Sequence, residues 1–122
     1  MTYNSNNIFA RILRKDIPCK KVLEDDFGLA FHDAYPQAPL HVLAIPKGPF
    51  RHALDFYTLA SSDMLQGFNQ FLGRVIDHLD IAPQGYRLIT NHGKNGGQEV
   101  PHFHIHILAG KVLGPMIAKE TS

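Results

Sequence analysis

His102, His104 and His106 alternate with Phe103, Ile105 and Ile107, and this period of two constrains the chain more than any other feature. In an extended strand successive side chains leave on opposite sides, so the three imidazoles share one face and the apolar residues the other. The apolar face can bury against a core while the histidine face looks into a cleft. Directly upstream lies Gly93-Lys94-Asn95-Gly96-Gly97-Gln98, a glycine-rich loop whose backbone N–H groups can come close to an anion. Imidazoles beside an anion cradle point to chemistry at phosphate.

The rest of the chain says what could surround such a strand. A length of 122 residues and an apolar share of 44% suit a single globular domain over 1–122. It carries a polar N-terminal tail over about 1–7 and a C-terminal tail over about 111–122. Charges are intermixed and sum to +1, which argues against a broad nucleic-acid surface but not against one small phosphorylated ligand. No apolar run reaches the length of a membrane span. The polar start Met1-Thr2-Tyr3-Asn4-Ser5-Asn6-Asn7 lacks the order of a signal peptide. A cytoplasmic location is expected. Cys19 is the one cysteine, so an internal disulfide and a cysteine-rich zinc site are excluded, and the lone thiol reads as structural.

Ile8, Phe9, Ile12 and Leu13 have helical spacing, with Ile17-Pro18 as a stop. Lys21–Glu24 and Gly28–His32 read as strands joined by the turn Asp25-Asp26-Phe27, and His41–Ile45 as a third strand ended by Pro46. Met64, Leu65, Phe68, Phe71, Leu72, Val75, Ile76 and Leu79 form one wide apolar stripe, the signature of a long helix capped by Ser61 or Ser62. A strand over Tyr86–Asn91 then runs into the glycine loop, and the histidine strand follows as its antiparallel neighbour. The fold expected is α+β: a mainly antiparallel five-stranded sheet with one long and one short helix.

Two chemistries suit the histidine face. Neutral imidazoles can ligate zinc, but on a regular strand His102 and His106 stand about 13 Å apart, four steps of ~3.3 Å. A metal would need His41 or an acid from elsewhere, so no metal and no cofactor are expected. The other chemistry is nucleophilic. An imidazole attacks phosphorus well and, once protonated, leaves well, provided one ring nitrogen is bare and the other holds its proton against a carbonyl. His104, flanked on both sides, is the expected nucleophile. Backbone N–H groups of Gly97-Gln98-Glu99 can hold the charge growing on the phosphate oxygens. His52, His78 and His92 have no such context and read as surface residues.

Phe31-His32-Asp33, Pro36-Gln37-Ala38-Pro39-Leu40-His41, Ile45-Pro46-Lys47 and Gly96-Gly97-Gln98-Glu99-Val100, leading into His-x-His-x-His, resemble the histidine-triad (HIT) superfamily in its Hint branch. The resemblance runs from about Ile8 to Met116, and Leu113-Gly114-Pro115-Met116 is similar to the bacterial members. It implies a nucleoside phosphoramidase that cleaves adenylate–amine P–N bonds through a nucleotidyl-histidine on His104. His102, His106 and His41 would support the nucleophile. It further implies that Asp33 and Ala34, with His32 beside them, meet the ribose. Asn91, Gly97, Gln98, Glu99 and Val100 would hold the phosphate side, and Phe9 and Ile12 would line the base pocket. The expected partners are a purine nucleotide of the AMP type and a second copy of the chain, the two sheets joining into one. Neither nucleic acid nor membrane is expected. Rival readings are dinucleoside polyphosphate hydrolysis or nucleotidyl transfer, and a nucleotide-sensing interaction module. The chain departs from common family patterns in Ala109-Gly110 for Gly-Gly, Glu99 for a serine, Pro101 for an aromatic residue, and the lack of tryptophan.

Overall fold

The computed structural model describes residues 2–119; Met1 and the last three residues of the C-terminal tail lie outside them. Five strands, β1 (Lys21–Glu24), β2 (Gly28–His32), β3 (Leu40–Pro46), β4 (Tyr86–Ile89) and β5 (Ile105–Ala109), form one sheet in the order β1-β2-β3-β5-β4. Every neighbouring pair is antiparallel. The α+β architecture and the five antiparallel strands agree with the sequence. The helices differ in number. Besides α1 (Ile8–Leu13) and the long α3 (Ser62–Leu79), the chain forms α2 (Ala53–Leu59) and a single turn, α4 (Gly93–Gly96), inside the glycine loop.

Local chemistry fixes the ends of these elements. The Asn7 side chain accepts the N–H of Ala10 at 2.9 Å to start α1, and Lys15 at φ 66° ends it before Ile17-Pro18 is reached. Ser61 caps α3 through the N–H of Met64, as an N-cap serine does. In the β1–β2 turn, Asp25 Oδ1 accepts the N–H groups of Phe27 and Gly28, while Oδ2 meets Arg74 of α3. Gly67 lets the Phe27 ring lie directly on that helix, where any Cβ would collide with it. The tail after β5 is held to β4 by Arg87, whose guanidinium donates to the Gly114 carbonyl at 2.6 Å.

Period-two alternation splits the sheet's side chains between two cores. Ala30, Val42, Ala44, Phe103, Ile105 and Ile107 pack against Phe56 of α2 and Phe68, Phe71 and Val75 of α3. Leu29, Phe31, Leu43 and Ile45 pack on the other side against Phe9 and Ile12 of α1. His41 shares one face of β3 with Leu43 and Ile45, and His106 pairs with Leu43 across the β3–β5 ladder. The histidines therefore lie on the α1 side, and α3 supports the sheet from behind.

Only part of the histidine run is strand. The ladder begins at Ile105, opposite Ala44. Before it, the His102 N–H turns back to the Val100 carbonyl and the Phe103 N–H bonds to the Phe50 carbonyl. His102 and His104 therefore sit in an extended approach to β5 rather than within it. Alternation survives the lost pairing, since Phe103 faces α3 and the His104 and His106 rings meet at 5.0 Å.

Candidate active site

His104 occupies the centre of the cluster. Its Nδ1 lies 2.7 Å from the main-chain oxygen of His102. A carbonyl oxygen only accepts, so Nδ1 carries the proton and Nε2 keeps its lone pair. The Phe9 ring stands edge-on to it at 5.0 Å, and the residue is 6% exposed. A bare Nε2 on a largely buried, neutral ring is the form a nucleophile needs.

The neighbouring tautomers follow from the same reasoning. The Gln37 N–H donates to His41 Nδ1 at 3.0 Å, which leaves the His41 proton on Nε2. That nitrogen is 2.9 Å from His106 Nδ1 and 3.4 Å from Asp33 Oδ2. His41 therefore donates, His106 Nδ1 accepts, and His106 carries its own proton on Nε2. His102 is wholly buried. Its Nε2 donates to the Pro46 carbonyl at 3.0 Å and its Nδ1 is 2.7 Å from the Tyr3 hydroxyl. Both ring nitrogens are occupied, so His102 acts on His104 through its carbonyl.

Burial sets the charge of this cluster. Desolvation lowers His102 to about 4, and desolvation joined by the His104 and His41 charges lowers His106 to about 4. Desolvation also holds His104 and His41 below the ordinary imidazole value, against the pull of Asp33. At neutral pH all four rings are uncharged. Such a ring binds a proton more readily once the chain unfolds, so its stabilising contribution is complete above 6.5 and is lost as pH falls toward about 4. For His102 alone that interval corresponds to about 3 kcal/mol. Denaturant titrations should therefore show stability falling between about pH 7 and about pH 4.5; a flat profile would mean that the folded rings take up protons as they do in the unfolded chain.

The glycine loop is braced by its own groups. The Gly97 and Gln98 N–H groups, expected to face an anion, instead bond to the Lys94 and Gly93 carbonyls and close α4. Gly97 adopts φ +77°, the left-handed region that favours glycine at a helix end. The Gln98 amide nitrogen donates to the Arg51 and Val100 carbonyls at 2.6 and 3.0 Å, and its oxygen accepts the Gly93 N–H. Asn91 holds the Gly96 carbonyl. Beyond Gln98, the N–H groups of Glu99 and Val100 close no such bond among the described residues.

Of the other predicted residues, Asp33 and Phe9 contact the histidine cluster directly. Asp33 reaches His41 with one oxygen and accepts the Tyr35 N–H with the other at 2.8 Å. His32 and Ala34 flank it, both exposed. Phe9 touches the His102 and His104 rings, whereas Ile12 is buried in the α1-side core. Asp33, His41 and His106 bring one ligand atom each within 4.8 Å of one another, supplying the acid and the extra histidine that a metal would need. Two residues read as surface in the sequence do more. His52 caps α2 by accepting the Asp55 N–H, and its ring stacks on His92 at 3.7 Å, which ties the start of α2 to the glycine loop. Tyr3, within a stretch read as a polar tail, is the partner that sequence reasoning missed.

Known proteins of similar sequence and fold share one family. The HIT domain family model matches residues 14–113. An uncharacterized 13.2 kDa HIT-like protein of Azospirillum brasilense is 52% identical over 118 residues, covering 97% of each chain. A purine nucleoside phosphoramidase of Escherichia coli K12 is 42% identical over 120 residues, covering 93% of this chain and 94% of its own. Among solved structures, a HIT family hydrolase from Clostridium thermocellum superposes with a TM-score of 0.83 at 36% identity, covering 94% of this chain and 99% of its own. A histidine triad protein from Clostridium difficile gives 0.83 at 37%, covering 93% and 98%.

Proposed function

The chain belongs to the HIT family, and from that membership we propose that it hydrolyses nucleoside 5′-phosphoramidates, with a purine nucleotide of the AMP type as substrate. The observation that carries the reading is the His104 imidazole, protonated on Nδ1 by its bond to the His102 carbonyl and bare on Nε2. Nε2 attacks the α-phosphorus and forms a P–N bond as the bond from phosphorus to the substrate amine breaks. The amine departs with that electron pair and takes up a proton from the medium. Water then attacks phosphorus, the bond to Nε2 breaks, and its electron pair returns to His104. Nucleoside monophosphate is released, and the proton lost by water replaces the one taken by the amine. Charge growing on the phosphate oxygens is met by the His106 Nε2–H and the Glu99 and Val100 N–H groups. Asp33 accepts from the ribose hydroxyls, and Phe9 flanks the base.

Mass spectrometry after acid-free quenching with a tryptamine adenylate tests this directly. One nucleotidyl mass should appear on the peptide containing His104. An adduct on another histidine, or none under conditions of turnover, would defeat the assignment. Faster turnover of a diadenosine polyphosphate than of the adenylate would move the chain to the polyphosphate-cleaving reading.

The reaction proposed needs no metal, because the nucleophile and the oxyanion donors are all supplied by the chain. The His41 proton lies between the same nitrogen pair that a metal at Asp33, His41 and His106 would occupy. Turnover should persist in a strong chelator; loss that zinc restores would place the chemistry at that cluster instead. Assembly as a homodimer is part of the proposal, supported by β4, an edge strand with Tyr86 and Leu88 exposed. A cytoplasmic location is proposed as well, from the polar start of the sequence.

A further inference from the structure

Tyr3 precedes His102 by 99 positions, yet its hydroxyl lies 2.7 Å from His102 Nδ1 and the rings meet edge-on with centroids 5.7 Å apart. The direction of this bond is fixed. His102 Nε2 faces the Pro46 carbonyl, so the neutral ring's proton is there and Nδ1 must accept from the phenol. His102 has no exposed surface, so solvent does not compete for that nitrogen. The remaining polar group of the residue that bears on the cleft, its carbonyl, receives the Nδ1 proton of His104. A continuous path therefore runs from the Tyr3 hydroxyl through a buried ring to the nucleophile.

Tyr3 is not on a loose tail. The Asn7 N–H and side-chain amide both bond to the Asn4 carbonyl, the Asn6 N–H bonds to Asn4 Oδ1, and Arg14 donates to the Ser5 carbonyl at 2.6 Å. These bonds fold residues 4–7 into a turn continuous with α1, which delivers the phenol to the ring.

We propose that Tyr3 is a positioning residue for the nucleophile. Its hydroxyl locks the His102 ring in one orientation and thereby holds the carbonyl of residue 102 where it keeps the His104 proton on Nδ1. The effect rests on His104 being the nucleophile, as proposed above. Without the hydroxyl, a buried Nδ1 loses its donor, and the ring must tilt or admit water to recover one.

The test is Tyr3→Phe in the full-length chain, which keeps the ring and removes one oxygen, read by two measurements. Nitrogen-15 NMR of the imidazoles, needing no substrate, should show His104 held on Nδ1–H in the parent and partly averaged between tautomers in the variant. With a tryptamine adenylate, kcat should fall about three- to ten-fold, the value of one hydrogen bond, with KM within about two-fold. A merely structural tyrosine would lower the melting temperature and leave the tautomer and the kcat of folded protein unchanged. That result would overturn the proposal. Tyr3→Leu, which also removes the ring, reports the packing share separately. If His104 is not the nucleophile, the parent forms no adduct there, while the NMR comparison still decides whether Tyr3 fixes its tautomer.

Discussion

Replacing His104 with alanine is expected to lower phosphoramidate turnover by at least about 10³-fold, because no other ring of the cluster keeps a nitrogen bare. His102 has both ring nitrogens engaged, His41 is bonded to Gln37 and His106, and His106 accepts from His41. Stability should change little by comparison. The substitution removes one hydrogen bond and the contacts of one ring with Phe9 and His106, a loss of about 2 kcal/mol or less. Rapid-quench kinetics should show no burst, and equilibrium binding of AMP should stay within about ten-fold of the parent. Turnover that survives the substitution would show that the attacking group lies elsewhere.

Phe103→Ala is expected to do the opposite, costing stability first. Phe103 is buried to 1% exposure and stacks on Phe56 at 4.9 Å, with Tyr57 and Phe68 at 6.0 Å. Truncating a buried phenylalanine to alanine costs about 3–5 kcal/mol, a large part of what a domain of this size holds. A drop in melting temperature of about 10–20 °C should follow, and calorimetry is the check. A loss below about 1 kcal/mol would mean that the aromatic cluster can collapse around the gap. Two residues one position apart thus divide labour: His104 is expected to govern rate, and Phe103 to govern persistence of the fold.

Much of this was legible in the sequence wherever a local rule and burial agree. β1 and β2 follow the strand bounds read on either side of the Asp25-Asp26-Phe27 turn, and α3 follows its apolar stripe and Ser61 cap. α2 was not legible. Its cap is a histidine ring rather than a serine or asparagine, and Leu54, Tyr57 and Leu59 are exposed while Asp55 is buried against Arg51, so its apolar pattern points the wrong way. The carbonyl on His104 was expected in kind, but its owner was not. A regular strand would have sent the His102 carbonyl into the ladder, and the ladder starts only at Ile105. His41 beside His106 depends on the register of two strands 65 residues apart, and Tyr3 on His102 depends on a contact longer still. Period and capping act over a few residues; no local pattern reports such meetings.

The side chain of Gln98 bonds to main-chain atoms of Gly93, Arg51 and Val100, joining the turn before it, the start of α2 and the approach to β5. On the function proposed, a loop riveted at three points meets its ligand already ordered. The entropy of ordering it was settled when the chain folded, so an arriving nucleotide should move this loop little and lose little affinity to it.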